Sequence, residues 1–186
     1  MFTRTSLSER AGRDLRLTRL LLERLPDASL AWQPHQRSFT LAGLGTHLAR
    51  LPHWGAQILA QPHHDVGAGG PGHGALSTRD DILTLFDRHV AEWDDVLAST
   101  SDAILNAPWE LRHGARVIES MPHAEAIDRY LLHHLIHHRG QLTVYLRVAG
   151  VPLLPLYGPT ADFGCDGDDR RVVGPALPGA DDDRIP

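Results

Sequence analysis

"LLHHLIHHRGQL", residues 131–142, sets four histidines within six positions of a leucine-rich helical stretch. Both the fold and the chemistry of this chain turn on where those rings point. Take His134 as zero on a wheel advancing about 100° per residue. Ile127, Leu131, His138, Leu142 and Tyr145 then fall on its side, and Arg129, Arg139 and Arg147 fall opposite. His134 and His138 therefore sit in the apolar stripe, one turn apart. His133 and His137 make a second i, i+4 pair toward the flank, near Ala126, Gly140 and Val144. Arg139, facing away from the inner pair, reads as a helix–helix or dimer contact.

Moving outward, this helix starts near Pro122 and runs to about Ala149, where Gly150 supplies a C-terminal stop. Three more stretches carry helical periodicity. The first spans about Ser6 to Leu25, with Leu15, Thr18, Leu22 and Leu25 on one stripe. The second runs from near Thr40 to about Ala60 and contains Pro52, which should kink it or remove one backbone bond. The third is "STRDDILTLFDRHVAEWDDVLAST", where Thr78 and Asp81 have capping-box spacing and Ile82, Leu85, Phe86, Val90, Trp93 and Leu97 form the buried face. Between helices, "PHHDVGAGGPGHGA" reads as a mobile loop, and "WELRHGARVIES" as a small hairpin about Gly114.

Four helices of this length predict an all-α fold, a four-helix bundle over residues 1–160, followed by a poorly ordered Gly/Asp/Pro-rich tail over 161–186. The bulk numbers agree with one domain: 186 residues, 42% of them hydrophobic. No apolar run approaches the roughly 18 to 20 residues of a membrane span, and "MFTRTSLSERAGRD" lacks the apolar stretch of a secretory signal. A cytoplasmic location without membrane association is expected. The net charge of −5 is concentrated in the acidic tail, so the near-neutral body offers no footprint for phosphate backbones and no nucleic-acid partner is expected.

The single cysteine, Cys165, can form no internal disulfide and supplies no thiolate cluster, so a metal here must be held by His, Asp or Glu. On the second helix, Leu44, Leu51, Trp54 and Ile58 share the side of His47, whereas His53 falls with Arg50 toward the polar side. His47 thus points inward, as His134 and His138 do. Three buried imidazoles close together would need partners for six ring nitrogens, and one ion satisfies three of those needs at once. An i, i+4 histidine pair is by itself more often incidental than metallic; the inward phase and the inward His47 are what favour a site.

The stretch "LLHHLIHHRGQLTVYLRVAGVPLLPLYGPTAD" resembles the last-helix signature of the DinB-like family, and "LAGLGTHLARLPHWGAQIL" resembles that family's second helix with its histidine. "AWQPHQRSFTL" and "TRDDILTLFDRHVAEW" are similar to further family segments, and together the likeness covers roughly residues 10 to 163. The resemblance implies a four-helix bundle, usually dimeric, with a divalent metal such as zinc or nickel on three histidines. Matched motif to motif, these are His47, His134 and His138, the three that the wheel selects. Related branches of the family include transferases and isomerases using a low-molecular-weight thiol as cosubstrate. The DNA polymerase that shares the family's name is unrelated.

Other residues have readings of their own. His89 lies between Phe86 and Trp93 on a buried face and reads as a hydrogen-bonded core histidine before a fourth ligand. Gln141 suits a contact to a ligand or substrate, while Tyr145 and Tyr157 read as packing residues that have the chemistry to act as acids. His63, His64 and His73 read as solvated loop, Trp32, Trp54 and Trp93 as core or interface anchors. Cys165 lacks a neighbouring base to activate it. The expected function is a metal-dependent enzyme, a hydrolase or thiol transferase acting on a small molecule, in a homodimer. The rival is a non-catalytic metal- or ligand-binding bundle, favoured by the lack of a carboxylate in phase beside the inner histidines.

Overall fold

The structure, a computed structural model, describes residues 2–69 and 74–164. Three of its helices open on a threonine whose hydroxyl accepts a backbone N–H that the helix leaves unpaired. Helix α1 (Arg4–Leu22) begins after Thr3, which accepts from the Ser6 N–H. Helix α2 (Leu41–Ala60) begins after Thr40, which accepts from Gly43 N–H at 3.0 Å. Helix α3 (Arg79–Ser99) begins after Thr78, whose Oγ1 accepts from the Asp81 N–H at 3.1 Å and donates to the Asp81 carboxylate at 2.7 Å. Helix α2 continues through the buried Pro52 without interruption.

A one-turn helix, α4 (Asp102–Leu105), follows α3. The last helical stretch is composite: α5 (His123–Ile127), a π-helical segment (Asp128–His133), and α6 (His134–Val148). It ends before Gly150, whose φ of +73° only glycine adopts without strain. Helix α2 packs along α3 and against α6, and α1 packs against α3 and α6.

The chain is mostly helical yet not all-α, which corrects the expected class. Strands β1 (His63–Asp65), β2 (Pro108–His113) and β3 (Arg116–Pro122) form one sheet in that order. The hairpin expected around Gly114 is β2–β3, and Gly114 takes φ +59°. Strand β1 was not expected. His63 and His64, read from their Gly-rich surroundings as loop, pair in parallel with Glu110 and Leu111. Parallel pairing joins backbone far apart in sequence, so no local pattern announces it. Asp65 fastens the junction, its Oδ1 accepting from the N–H groups of Gly67 and Gly114 at 2.8 and 2.9 Å.

Residues Met1–Val151 form one compact unit and a second starts at Pro152. Within the second, Asp162 accepts from the Leu153 N–H at 2.8 Å and Thr160 donates to the Leu153 carbonyl at 2.7 Å. The tail expected over 161–186 lies outside the described residues from 165 onward, as do Cys165 and His73. Among the described residues no helix is long and apolar enough to cross a membrane.

Trp93, Trp109 and Phe86 are the large aromatic side chains of the core, while Trp32 and Trp54 are half-buried. Gly55 lets α2 come close: a Cβ there would lie 2.6 Å from Leu131 and 3.0 Å from the Trp93 ring. Helix α6 is tied to α1 by Arg139, which is 1% exposed. Its Nη2 donates to Asp14 Oδ1 at 2.6 Å and its Nη1 to Thr18 Oγ1 at 3.2 Å. The contact is thus helix to helix, one of the two roles expected. Arg139→Met is expected to cost about 3–5 kcal/mol, because it strands the buried Asp14 carboxylate. The Asp14→Leu/Arg139→Met double variant should recover much of that loss. Urea titrations of both variants check this, and a single variant as stable as the parent would contradict it.

Candidate metal centre

His47 on α2 and His134 and His138 on α6 come together. Their ring centroids are separated by 5.1 Å (His47 to His134), 4.5 Å (His47 to His138) and 4.6 Å (His134 to His138). The Nε2 atoms of His47 and His134 are 3.3 Å apart. One ligand-capable nitrogen from each ring lies within 4.8 Å of the others, so the group could hold a metal ion. It contains three imidazoles and no carboxylate.

Local structure fixes two of the rings. Gln141, one turn along α6, accepts the His138 Nδ1–H at 2.7 Å, which leaves the lone pair on Nε2. The same amide bonds His137 Nε2 at 3.2 Å, so the exposed flanking histidine supports Gln141 rather than joining the group. His134 is hydrogen-bonded to the Tyr130 backbone, within the π-helical segment that precedes it. A π turn at such a position is a common device for aiming a side chain.

Depth differs from the expected mid-stripe position. His138 is buried, whereas His47 and His134 are half-buried. The buried residues of α6 are Leu135, His138, Arg139, Leu142 and Leu146. Helix α6 meets both α1 and α2, so its buried sector is broader than one stripe, and the histidines occupy the edge of that sector. The segment between α1 and α2 covers this edge. Phe39 stacks on His47 at 5.5 Å and meets His138 edge-on at 6.2 Å. Tyr145 donates to the Phe39 carbonyl at 3.2 Å, and Trp32 packs edge-on against Tyr145 at 5.5 Å. Tyr145 therefore holds the cover in place. Tyr157 belongs to the second unit and is exposed.

His89 is the hydrogen-bonded core histidine that its position suggested: Nδ1 donates to the Ala49 carbonyl at 2.9 Å. It takes no part in the three-histidine group. Instead it joins His53 and Glu92 in a second group able to hold a metal. The i, i+3 spacing of His89 and Glu92 was visible in the sequence, but the approach of His53 depends on how α2 packs on α3.

A cluster of three imidazoles, one buried and two half-buried, on a helical scaffold defines a class of helical proteins able to hold a metal ion. The sequence matches the DinB family over residues 1–165. The chain belongs to the DinB family. Solved structures share its fold: a DinB-like protein from Bacillus cereus ATCC 10987 superposes with a TM-score of 0.67 at 20% identity, covering 84% of this chain and 100% of that one. A DinB-like protein, YjoA, from Bacillus subtilis gives 0.64 at 18% identity, covering 82% and 96%. No curated protein matches the sequence.

Burial lowers the pKa of His134 and of His138, more than the hydrogen bonds to Tyr130 and Gln141 raise them. His89 and His123 are shifted down for the same reason. The neutral rings that a metal needs are thus the favoured form. A folded pKa below the unfolded one means that the unfolded chain binds more protons as pH falls through the ordinary histidine range. Stability is therefore present above that range and lost below it. For chelator-treated protein, the urea midpoint should rise between about pH 5 and pH 7. A midpoint that falls over this interval would refute the assignment of these rings as buried and neutral.

Proposed function

We propose that this protein is a metal-dependent enzyme whose ion is held by His47, His134 and His138. The observation that carries this reading is the convergence of three imidazoles, with His138 turned by Gln141 so that Nε2 is available. The donor set fits a borderline divalent ion, zinc or nickel. Three protein ligands leave coordination positions open, as catalytic sites do and structural sites do not. A bound ion supplies Lewis acidity and lowers the pKa of a water or thiol that joins it.

The chain's own residues orient the ligands and shape the access. Gln141 and the Tyr130 backbone set ring orientation, while Phe39, Trp32 and Tyr145 wall one side against water. The substrate class we favour is a small molecule, attacked by water or transferred to a low-molecular-weight thiol. We read the mutual packing of the four long helical stretches as a four-helix bundle, and the location as cytoplasmic with no nucleic-acid or membrane partner. The rival reading is a binding module without turnover, favoured by the lack of a carboxylate within the three-histidine group.

Zinc- or nickel-loaded protein, screened with thiols and electrophilic substrates, should show turnover that His138→Ala reduces by about a hundredfold or more. Background rates unaffected by that change would leave the binding module as the better account.

We also propose a homodimer, formed on the outward row of α6. Val144 and Val148 are 62% and 52% exposed, with Ile136 and Gly140 on the same row. Light scattering should give twice the chain mass, and Val144→Glu should return a monomer. A monomeric parent protein would remove the proposal.

A further inference from the structure

We infer that the α2–α3 seam holds a second divalent-cation site, formed by His53, His89 and Glu92. This site is independent of the three-histidine group: it shares no residue with it and involves α3 in place of α6. His89 and Glu92 stand one turn apart on α3, at the i, i+3 spacing that puts two side chains on one face. His53 faces them from α2, its ring stacked on that of His89 with centroids 5.0 Å apart. The three ligand-capable atoms lie within 4.8 Å of one another. Ligands about 2.0–2.2 Å from a common ion are separated by roughly 3–4 Å, so only a small contraction is needed.

Each donor is prepared for the role. His89 is buried, and the hydrogen bond from its Nδ1 to the Ala49 carbonyl fixes the tautomer with the lone pair on Nε2. His53 Nδ1 already lies 2.8 and 3.0 Å from the two Glu92 oxygens. In the absence of a cation, the His53 Nδ1–H that donates to the Glu92 carboxylate occupies the place that the cation would take. A hydrogen bond of His53 to Glu92 needs no third donor, yet a buried, oriented imidazole lies beside it. One group competes: Arg88 Nη2 is 3.5 Å from His89 Nε2. Arg88 is exposed and free to swing into solvent, so it weakens binding without blocking it.

Two imidazoles and one carboxylate suit a first-row divalent transition ion such as Zn2+, Ni2+, Co2+ or Fe2+. The half exposure of His53 and Glu92 leaves outer positions to water. Occupancy would clamp α2 to α3, because ligands from both helices must stay together for the ion to remain bound.

The test titrates Zn2+ by calorimetry into metal-free parent protein, His138→Ala, Glu92→Gln, and the His138→Ala/Glu92→Gln double variant. The parent should bind two ions per chain. His138→Ala should keep one, which the double variant should bind about tenfold or more weakly. Arg88→Ala, in the His138→Ala background, should tighten it. If His138→Ala binds no ion, or binds with an affinity that adding Glu92→Gln does not change, the second site is overturned. The two readings fail separately. Uptake lost only in His138→Ala keeps the three-histidine centre and removes this one. Uptake lost only in Glu92→Gln does the reverse. Circular dichroism of the metal-free variants reports folding, and Glu92→Gln retains side-chain size at a half-exposed position.

Discussion

Helix α6 can present His134 and His138 to His47 only if its rotation about its own axis is fixed. Arg139 fixes it. One residue beyond His138, its side chain leaves the helix about 100° further round and ends on Asp14 and Thr18 of α1. An α-helix turns about 100° per residue, so His138 and Arg139 leave it in different directions. Anchoring Arg139 on α1 therefore aims His138 at α2. A leucine at 139 would allow small rotations at little cost in apolar contact. A planar guanidinium with a buried carboxylate allows few, because any rotation that breaks its bonds leaves charge unpaired in the interior. The polar pair is a poor source of net stability and an effective source of register.

The same logic extends toward the N-terminal side of α6. The π-helical segment Asp128–His133 turns more slowly per residue than an α-helix, so it changes the phase between α5 and α6. Burial in the composite helix is broad, because it packs against both α1 and α2. Ala124, Ala126 and Ile127 are buried before the π segment, and Leu131 and Leu132 are both buried within it. Consecutive buried residues such as Leu131 and Leu132 mark a helix with neighbours on two sides, as Leu48 and Ala49 do in α2. A constant 100° wheel still places His134 and His138 together, because both lie in regular helix beyond the segment.

Much of the helical scaffold was legible for local reasons. Thr78 with Asp81 marked the start of α3, and the stripe of Ile82, Leu85, Phe86, Val90, Trp93 and Leu97 marked its inner face; Leu85 and Val90 are half-buried and the other four are buried. The three-histidine group was legible because two of its members are i, i+4 neighbours and the third shares a side with Leu44, Leu51 and Ile58. What stayed hidden was non-local. The pairing of His63 with Glu110 depends on backbone, which carries no residue signature. His53 looked polar because it falls beside Arg50, and it is indeed half-exposed, but the face it meets is that of α3. A single-helix wheel distinguishes core from solvent. It cannot distinguish solvent from a neighbouring helix that arrives at the edge.

The two clusters differ in the charge of their donors, and this sorts their chemistry. Three imidazole ligands carry no charge, so a divalent ion on His47, His134 and His138 would keep its full positive charge. A carboxylate in the set, as at His53, His89 and Glu92, cancels part of that charge and weakens the pull on any water beside it. Its gain is affinity for the cation through Coulomb attraction, at a place where half exposure moderates the cost of burying charge. On electrostatic grounds the neutral set would leave more of the ion's charge to act on a nucleophile, and the mixed set would hold its cation more tightly. With His47 and His53 less than two turns apart on α2, one helix contributes a donor to the cluster it shares with α6 and another to the cluster it shares with α3.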